Sequence, residues 1–399
     1  MDALLVLTHR IPYPPDKGDK IRSWHFLEHL ARRYEVYLGT FIDDRRDWEF
    51  TDTLRGICRD CFFARLNPSL ARLRSLRGFF SGSALTIPYY YDGALDRWVR
   101  SILGQPRVQR VFIYCSAMAQ YIPFATRRSL HSVADLVDVD SEKWLEYGQS
   151  MHGIKAAVSR REGATLRRVE RAIASTFSAT FVSTKPERDL FQTFAPESAP
   201  RIGYIRNGVD SDYFSPERDY DRPEGVSGTA FVFTGAMDYW PNVDAATYFV
   251  NSIFPRIRQR IPDAQALIVG SNPAPAVRAL AHDANVIVTG RVPDVRPYIA
   301  HAKAVIAPLR IARGVQNKVL EGMAMAKPVI ASPEAAIGIE ARRGEDLLVV
   351  EGPEAFAAAA ESLALSEAGT VIGQRARRRI VADYGWSASA SRIEAALDA

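Results

Sequence analysis

The chain alternates short apolar strands with helical segments from one end to the other, and this alternation constrains the fold more than any other feature. The first strand-like run is residues 3–8 and the last is residues 346–350. Consecutive parallel strands need a crossover connection, usually a helix, so the pattern predicts parallel sheets covered on both faces. We therefore expect the α/β class.

The same periodicity gives the individual elements. In the first half, the predicted strands are 3–8, 35–41, 111–114, 133–139 and 180–183, and the predicted helices are 18–33, 155–175 and 185–194. In the second half, the predicted strands are 230–234, 266–269, 285–288, 304–307, 328–331 and 346–350, and the predicted helices include 243–260 and 353–364.

A polar stretch at residues 215–228, SPERDYDRPEGVSG, separates two halves of similar pattern. A length of 399 residues is enough for two domains. We predict a first domain over 1–205, a second over 206–384, and a helix over 385–399 that packs back on the first domain. Ligands of open parallel sheets bind beyond the carboxyl ends of the strands, so two such domains facing each other would form a ligand cleft.

Composition narrows the class of protein. Hydrophobic content of 47% and charged content of 24% are typical of a globular protein, and no apolar run reaches the roughly 18 residues of a membrane span. The amino terminus lacks the basic and small-residue features of a signal peptide. Cys58, Cys61 and Cys115 include one C-x-x-C without a second metal-binding pair, so we interpret them as free thiols in a cytoplasmic protein.

The segment at residues 310–330, RIARGVQNKVLEGMAMAKPVI, follows a buried strand-like run and precedes another. We predict that a helix begins at Gly314, which would point its free N–H groups and the positive end of its dipole at the loop. Arg310 and Arg313 lie in that loop. Two cations beside a helix N-terminus suit a diphosphate.

Within that helix, Lys318 and Glu321 are three residues apart and therefore share one face. A carboxylate one turn into the helix suits paired sugar hydroxyls, so the segment predicts a site for a nucleotide-sugar. The alternative is an ordinary exposed pair worth about 0.2–0.5 kcal/mol, with solvated loop arginines.

Several motifs carry a resemblance to a known family. They are the loop at 9–22 (HRIPYPPDKGDKIR), NGVD at 207–210 followed by Phe214, FTG at 233–235, GRV at 290–292, and LEGMA at 320–324 followed by KPV at 327–329. Over nearly its whole length the chain resembles the retaining glycosyltransferases of family 4, which have the GT-B fold. Residues 137–144, VDVDSEKW, resemble more narrowly the PEP-CTERM/exosortase-associated sugar transferases, which are thought to assemble exopolysaccharide in Gram-negative bacteria.

The resemblance implies two Rossmann-like doubly wound domains facing across a cleft, and a retaining hexosyl- or N-acetylhexosaminyl-transferase. It implies a nucleoside-diphosphate sugar as donor, a glycan or polyprenyl-linked acceptor, no cofactor or metal, and no nucleic-acid partner. The predicted catalytic residues are Asp140, Arg310 and Lys318. The predicted donor-binding residues are Gly18, Asp19, Gly235, Arg291, Val292, Arg313, Gly314, Val315 and Glu321.

Two rival functions stay open. A non-hydrolysing sugar-nucleotide epimerase shares the two-domain fold, but it would need a cluster of active-site carboxylates and histidines that the sequence does not locate. A catalytically inactive nucleotide-sugar-binding protein is the other rival, because one family residue is changed. Where the family has E-x7-E, Arg313 replaces the first glutamate and Glu321 is the second. Sugar recognition would then depend on the backbone of Gly314 and Val315.

A second departure concerns the diphosphate. Relatives have an arginine and a lysine shortly after the first glycine of the second domain, whereas residues 236–242 (AMDYWPN) contain no cation. The diphosphate clamp would then come from Arg310, Arg313 and Lys318.

Asp138-Val139-Asp140 spells D-x-D, which holds a metal in glycosyltransferases of another fold, but the GT-B resemblance implies that it does not do so here. Strand alternation would place both carboxylates on one face, and we predict that Asp140 lines the acceptor site. The alternative is a cap for a helix that starts near Ser141. Likewise, Gly18 either lets backbone N–H groups approach phosphate or is a simple turn glycine, and we assign no catalytic role to His9.

Residues 59–80 interleave basic residues with leucine and phenylalanine. One interpretation is an amphipathic helix that buries its apolar stripe in the core. The other is a peripheral contact with the inner face of the cytoplasmic membrane, where each basic residue near anionic lipid contributes about 1 kcal/mol.

Overall fold

The computed structural model of the protein describes residues 1–312 and 314–399. The chain folds into two compact units, which are Met1–Arg206 with Ser387–Ala399, and Asn207–Trp386. The polar stretch at 215–228 lies inside the second unit and not between the two. It is held there because the Tyr220 hydroxyl donates to the Ser215 carbonyl (2.9 Å) and the His301 ring contacts the Tyr220 carbonyl (2.7 Å).

The first unit contains a seven-stranded parallel sheet. Its strands are β1 (Ala3–Thr8), β2 (Glu35–Ile42), β3 (Asp60–Arg65), β4 (Val108–Tyr114), β5 (His131–Val137), β6 (Ala179–Val182) and β7 (Ile202–Tyr204). Their order is β3-β2-β1-β4-β5-β6-β7, so the winding direction reverses between β1 and β4. The side chains of β1 are buried along the whole strand, as expected for a central parallel strand.

Helices cover both faces of this sheet. They are α1 (Gly18–Ala31), α2 (Thr51–Ile57), α3 (Pro68–Ser75), α4 (Arg77–Ser81), α5 (Thr86–Tyr89), α6 (Gly93–Leu103), α7 (Asp140–Ser150), α8 (Gly153–Thr176) and α9 (Lys185–Phe194). Short 3-10 turns occur at Arg45–Phe50, Ser116–Tyr121, Phe124–Ser129 and Pro196–Arg201.

The second unit repeats this architecture with six parallel strands. They are β8 (Thr229–Thr234), β9 (Ala264–Val269), β10 (Val286–Gly290), β11 (Ala304–Ala307), β12 (Val329–Ala331) and β13 (Leu348–Val349). The order β10-β9-β8-β11-β12-β13 reverses between β8 and β11. That reversal is the topological switch point at which doubly wound sheets bind ligands.

The helices of the second unit and the last helix complete the chain. They are α10 (Trp240–Tyr248), α11 (Phe254–Arg260), α12 (Pro275–Arg278), α13 (Arg296–Ala300), α14 (Asn317–Ala324), α15 (Pro353–Leu365), α16 (Ala368–Asp383) and α17 (Trp386–Asp398). A π-helical turn at Phe249–Ile253 joins α10 to α11, and a 3-10 turn at Ala279–His282 follows α12.

The α/β class and the two Rossmann-like sheets confirm the predicted fold, but three local expectations were wrong. The strands β3 and β7 were not predicted, and residues 59–80 form a strand followed by two short helices instead of one helix. The helix expected at Gly314 begins at Asn317, because Gly314 has a left-handed φ of +64° that no helix can include.

The NGVD sequence at 207–210 has a structural explanation within the second unit. The Val209 amide donates to the Tyr384 carbonyl (2.9 Å), and Asp210 Oδ1 accepts from the amides of Asp212 and Tyr213. A side chain at Gly208 would lie 2.7 Å from the Trp386 ring. The motif therefore fastens the start of this unit to its own C-terminal end, and glycine is required by that close approach.

The C-terminal helix α17 is held by polar contacts within the first unit. The His29 ring pairs with Glu394 (2.9 Å), and the Tyr34 hydroxyl donates to Asp398 (2.8 Å). Its Ser389 hydroxyl also donates to the Arg206 carbonyl (3.0 Å). Residues 387–399 thus belong to the unit formed by the amino-terminal half of the chain.

Across the described residues, no individual helix has both the length and the apolar content needed to cross a membrane. One pair, Pro353–Leu365 and Ala368–Asp398, meets that test only when joined across a bend of 99°.

Candidate functional site

The carboxyl ends of β8 and β11 form the centre of the candidate site in the second unit. Gly235, directly after β8, has φ of +154°, and a side chain there would lie 2.8 Å from the Asn242 amide nitrogen. A side chain at Gly270, after β9, would lie 1.6 Å from the Gly235 carbonyl oxygen. Two backbone segments therefore pass so closely at this edge that both positions require glycine.

Lys318 reaches this edge from the first turn of α14. Its ammonium donates to Asn242 Oδ1 (3.1 Å) and to Gln316 Oε1 (3.4 Å), and it lies 5.4 Å from the centre of the Phe233 ring. The side chain is only 8% exposed. Asn242 is itself oriented by donating to the Ala236 carbonyl (2.9 Å).

The position of Lys318 is electrostatically unfavourable by itself. Burial lowers its pKa to about 8, and the N-terminal end of a helix repels a cation. Among the described residues its ammonium forms no ion pair, so its hydrogen-bond partners are neutral oxygens. A buried cation of this kind is compensated when an anion binds beside it.

Glu321 lies one turn further along α14. Burial raises its pKa to about 7, and the opposing influence is the positive charge of Lys318. The expected face sharing of Glu321 and Lys318 is thus present, and the alternative of an ordinary exposed pair does not fit the burial of Lys318. As a partly buried carboxylate, Glu321 can accept hydrogen bonds from neighbouring hydroxyls.

Arg310 occupies the loop after β11 and is more exposed than Lys318, at 57% of its side chain. Its guanidinium forms a bidentate pair with the Asp244 carboxylate, with Nε 3.0 Å from Oδ2, and it stacks 4.8 Å from the centre of the Tyr248 ring. The charge of Arg310 is therefore already compensated by a carboxylate of α10, whereas the hydrogen-bond partners of Lys318 are neutral.

The other predicted donor residues of this unit lie in two places. Gly314 and Val315 occupy the loop before α14, and Val315 is buried. Arg291 and Val292 follow β10, two strands away from β8; Arg291 is exposed, and Val292 packs on the hydrophobic core. Arg313 lies outside the described residues. The structure thus brings Lys318, Glu321 and Gly235 together, whereas Arg291 and Val292 lie further along the sheet.

In the first unit, the loop after β1 carries a charged cluster at the start of α1. Arg10 pairs with Asp19 (2.5 Å) and with Asp43 (2.9 Å), and the His9 ring lies 3.5 Å from the Asp19 carboxylate. Burial acts to raise the pKa of Asp19, but the hydrogen bond from His9 and the charge of Arg10 hold it well below its usual range. Gly18 begins α1 as predicted.

The expectation that Asp138 and Asp140 share a strand face was wrong. The strand β5 ends at Val137, whose φ of +70° lets the Asp138 amide turn back to the Leu136 carbonyl (2.9 Å). Asp140 instead begins α7, where its charge suits the helix dipole. Asp138 accepts a hydrogen bond from the Ser183 hydroxyl (3.3 Å).

The backbone at Val137 is unusual for a β-branched residue and is held by several contacts. Its amide donates to Asp135 (3.2 Å), the Val139 amide donates to Glu187 (2.7 Å), and the Ser141 amide donates to Glu170 (3.0 Å). Burial raises the pKa of Glu187 to about 7 and that of Glu170 to about 8. These carboxylates fix the turn that places Asp140 at the carboxyl edge of the first sheet.

Near the carboxyl ends of β1 and β4, three buried polar atoms have no hydrogen-bond partner among the described residues. They are His9 Nδ1, the Tyr114 hydroxyl and the Ser116 hydroxyl. The rings of His9 and Tyr114 stack 5.8 Å apart. Because buried polar groups are normally paired, these atoms mark the edge as a place for a polar ligand.

Several residues that shape these sites were not predicted from the sequence. Asn242 and Gln316 accept hydrogen bonds from the Lys318 ammonium. Asp244 pairs with Arg310. Glu170 and Glu187 accept backbone hydrogen bonds from the turn before α7. Only Asn242 had a usable signal, since a polar residue just inside a helix that begins with Trp-Pro is a candidate for contacts beyond the helix. The others became neighbours through long-range packing.

Comparison with known proteins gives one family match, in the second unit. Residues 228–366 match the family model described as glycosyl transferases group 1. No curated protein sequence matches the chain significantly.

Solved structures resemble the chain over its whole length. HepE of Anabaena, solved with UDP and glucose, has 14% identity and a TM-score of 0.68, with 100% of each chain covered. Sucrose-phosphate synthase of Thermosynechococcus elongatus has 17% identity and a TM-score of 0.70, covering 99% of this chain and 98% of that one. WaaG, a glycosyltransferase involved in lipopolysaccharide biosynthesis, has 15% identity and a TM-score of 0.65, with 98% of each chain covered.

These likenesses show the GT-B fold with its two Rossmann-like domains. The matched segment covers β8 to α15 and therefore includes Gly235, Lys318 and Glu321. The fold and the family match of residues 228–366 together support a GT-B glycosyltransferase. Membership of the narrower exosortase-associated subgroup stays a prediction.

Proposed function

We propose that the protein transfers a sugar from a nucleoside-diphosphate sugar to a glycan or lipid-linked acceptor, with retention at the anomeric carbon. The observation that carries the proposal is the buried ammonium of Lys318, which meets neutral oxygens at a helix N-terminus on the switch point of the second sheet. A diphosphate supplies the negative charge that this arrangement lacks.

The chemistry of such a transfer needs a stabilised leaving group. The bond between the anomeric carbon and the diphosphate breaks, a bond to the acceptor oxygen forms, and the hydroxyl proton leaves with the diphosphate. Lys318, with Arg310 and Arg313, would stabilise the charge that develops on the departing diphosphate. Glu321 would accept hydrogen bonds from the ribose hydroxyls.

The donor is proposed as a UDP-sugar because HepE was solved with UDP and with UDP-glucose. The acceptor side is assigned to the carboxyl edge of the first sheet, where Asp140 and the unpaired atoms of His9, Tyr114 and Ser116 lie. A role in exopolysaccharide assembly follows from the resemblance of residues 137–144 and belongs to the same proposal.

A donor-turnover assay separates this function from its rivals. Release of nucleoside diphosphate from a panel of UDP- and GDP-sugars supports the transferase, formation of an epimer supports the epimerase, and binding without turnover supports the inactive protein. A thermal-shift screen with UDP, GDP, ADP and TDP identifies the base, because ligand at 100 times its Kd adds about 2.7 kcal/mol of stability.

Turnover is expected to need no divalent metal. Asp138 lies in the bend after β5, where its carboxylate accepts from the Ser183 hydroxyl, whereas Asp140 is the first residue of α7. We expect equal rates in 5 mM EDTA and in buffer with magnesium or manganese, with free nucleoside diphosphate as the readout. Activity that disappears with EDTA and returns with either metal would contradict the assignment.

Diphosphate affinity is expected to fall as the pH rises above about 8. The pKa of Lys318 is lowered to about 8, so at higher pH the free protein must take up a proton when it binds the anion. The affinity should then approach a loss of about tenfold per pH unit. The same shift makes the unliganded fold gain stability as the pH rises from 8 to 10.5, because the unfolded chain keeps the proton longer.

The matched control for that pH profile is Lys318→Arg, since guanidinium does not titrate in this range. Calorimetric titration with UDP between pH 7 and 10 should show a steep decline for the natural protein and a flat profile for the variant. Parallel profiles would exclude Lys318 as the titrating group.

A further inference from the structure

The helices α3 and α4 carry an exposed apolar ridge on the first unit. It consists of Leu70, Leu73, Leu76, Phe79 and Phe80, whose exposed fractions are 63%, 66%, 47%, 42% and 93%. The spacing of three residues places successive members on one side of this short helical segment. Single exposed apolar residues are ordinary, but a contiguous row of large ones marks an interaction surface. Burial in the core, the other interpretation of this segment, is not what the structure shows.

The charged residues in the chain segment that carries the apolar ridge have one sign. Residues 61–91 contain four arginines and no aspartate or glutamate. Arg65, Arg72 and Arg77 are exposed and form no ion pair among the described residues. Arg74 is different, because it donates to the carbonyls of Pro88 (2.7 Å) and Tyr89 (2.6 Å) and so helps to hold the segment.

The apolar ridge is fastened to the body of the unit and is not a loose appendage. Arg161 of α8 donates to the Gly78 carbonyl (2.6 Å) and lies 4.8 Å from the centre of the Phe79 ring. Buried Glu162 accepts from the amides of Leu85 (2.6 Å) and Thr86 (2.9 Å), just beyond α4. The exposure of the leucine and phenylalanine side chains is therefore built into the fold.

The exposed surface extends along α8. Ile154 lies two turns before Arg161 on the same side of that helix and is also largely exposed. Met151, at the junction between α7 and α8, is partly exposed, and Lys155 adds a cation. The apolar side chains thus continue beyond α3 and α4 without an intervening acidic residue at residues 151–155.

We infer that the apolar ridge is a docking surface for an anionic lipid bilayer. Leucine and phenylalanine side chains would enter the boundary between headgroups and acyl chains, while Arg72 and Arg77 would contact the lipid phosphates. A second copy of the chain fits less well, because a two-fold interface over this surface would bring the arginines of both copies together. The absence of acidic residues from residues 61–91 also disfavours a basic protein partner.

The bilayer contact does not depend on the donor chemistry, but its purpose rests on the proposed function. A polyprenyl-linked acceptor is confined to a membrane, so a surface that keeps the first unit on the bilayer would raise the encounter rate with that acceptor. Loss of vesicle binding and loss of transfer are thus separate observations, and the test below measures them separately.

The test uses the full chain with phosphatidylcholine vesicles that contain either no anionic lipid or 30% phosphatidylglycerol, at low and high salt. We expect binding to the anionic vesicles that weakens as salt rises. Arg72→Glu/Arg77→Glu should reduce the partition coefficient at least about 25-fold, since each arginine near the surface is worth about 1 kcal/mol. Leu73→Ser/Phe80→Ser should reduce it at least about tenfold, because apolar area leaves the bilayer.

The control is Leu365→Ser/Val381→Ser, which removes two exposed apolar side chains from the second unit. It should bind vesicles as the natural protein does. All variants should keep the same UDP affinity and melting temperature. The inference is overturned if the natural protein does not bind anionic vesicles at low salt. It is also overturned if both ridge variants bind these vesicles as strongly as the natural protein does. A change of oligomeric state in the ridge variants, measured by light scattering, would overturn it in favour of self-association.

Discussion

Lys318→Ala is expected to weaken nucleoside-diphosphate binding about 30-fold or more while changing nucleoside binding little. Truncating one partner of a buried charge pair costs about 2–5 kcal/mol, and only the diphosphate forms such a pair with Lys318. Because its ammonium is buried without an ion pair among the described residues, the variant should melt at the same temperature or higher when no ligand is bound. Loss of affinity with retained stability would locate the effect in the site.

Calorimetry with UDP or GDP and with the parent nucleoside measures this difference. The matched control is Lys303→Ala, because Lys303 immediately precedes β11 and so lies at the opposite end of that strand from the site. Equal losses for diphosphate and nucleoside would reject the clamp. Arg310→Ala should act in the same direction but more weakly, because Arg310 already pairs with Asp244 and is largely exposed.

Asp135→Ala is expected to destabilise the first unit by about 3–5 kcal/mol. Asp135 on β5 and Arg22 on α1 form a bidentate pair with distances of 2.7 Å and 3.1 Å, and both side chains are fully buried. Removing Asp135 takes the bidentate carboxylate away from the buried Arg22 guanidinium. The same change removes the acceptor for the Val137 amide and should loosen the turn before Asp140.

Denaturation by urea, followed by far-UV circular dichroism and by calorimetry, gives the change in the free energy of unfolding. The control Asp52→Ala removes an exposed partner of Arg55 and should change stability by less than about 1 kcal/mol. The double variant Arg22→Met/Asp135→Leu should recover most of the loss, since it removes both charges of the pair. A double variant as unstable as the single one would show that packing, and not charge, dominates at this position.

Local pattern predicted the regular elements well. The strands at Ala3–Thr8 and Ala304–Ala307 and the helix at Lys185–Phe194 begin and end where the periodicity places them. An apolar run of this length is removed from water most readily as a central strand of a sheet. The local sequence is therefore enough to predict such a strand. The strand β3 was not predicted because it lies at the sheet edge, where only part of its surface is buried and the alternation is weak.

The positive φ of a residue other than glycine could not be predicted from the local sequence. Val137 adopts a positive φ because contacts from α8, α9 and β5 hold the surrounding turn, and nothing in the sequence near a valine signals this. The resulting displacement moved Asp140 from an expected strand to the first turn of α7. In contrast, the glycine at position 314 already permitted the left-handed conformation that delays α14 to Asn317.

The sequence by itself determined the α/β class, the division into two similar halves and the presence of Lys318 and Glu321 on one helix face, because these follow from periodicity and spacing along the chain. The tertiary structure alone decided which charges are compensated. It buries Lys318 against neutral oxygens, pairs Arg310 with Asp244, and leaves the apolar ridge exposed. The burial and pairing of a charged side chain depend on residues that are distant in sequence. The free energy of that charge depends on this environment more than on the residue type.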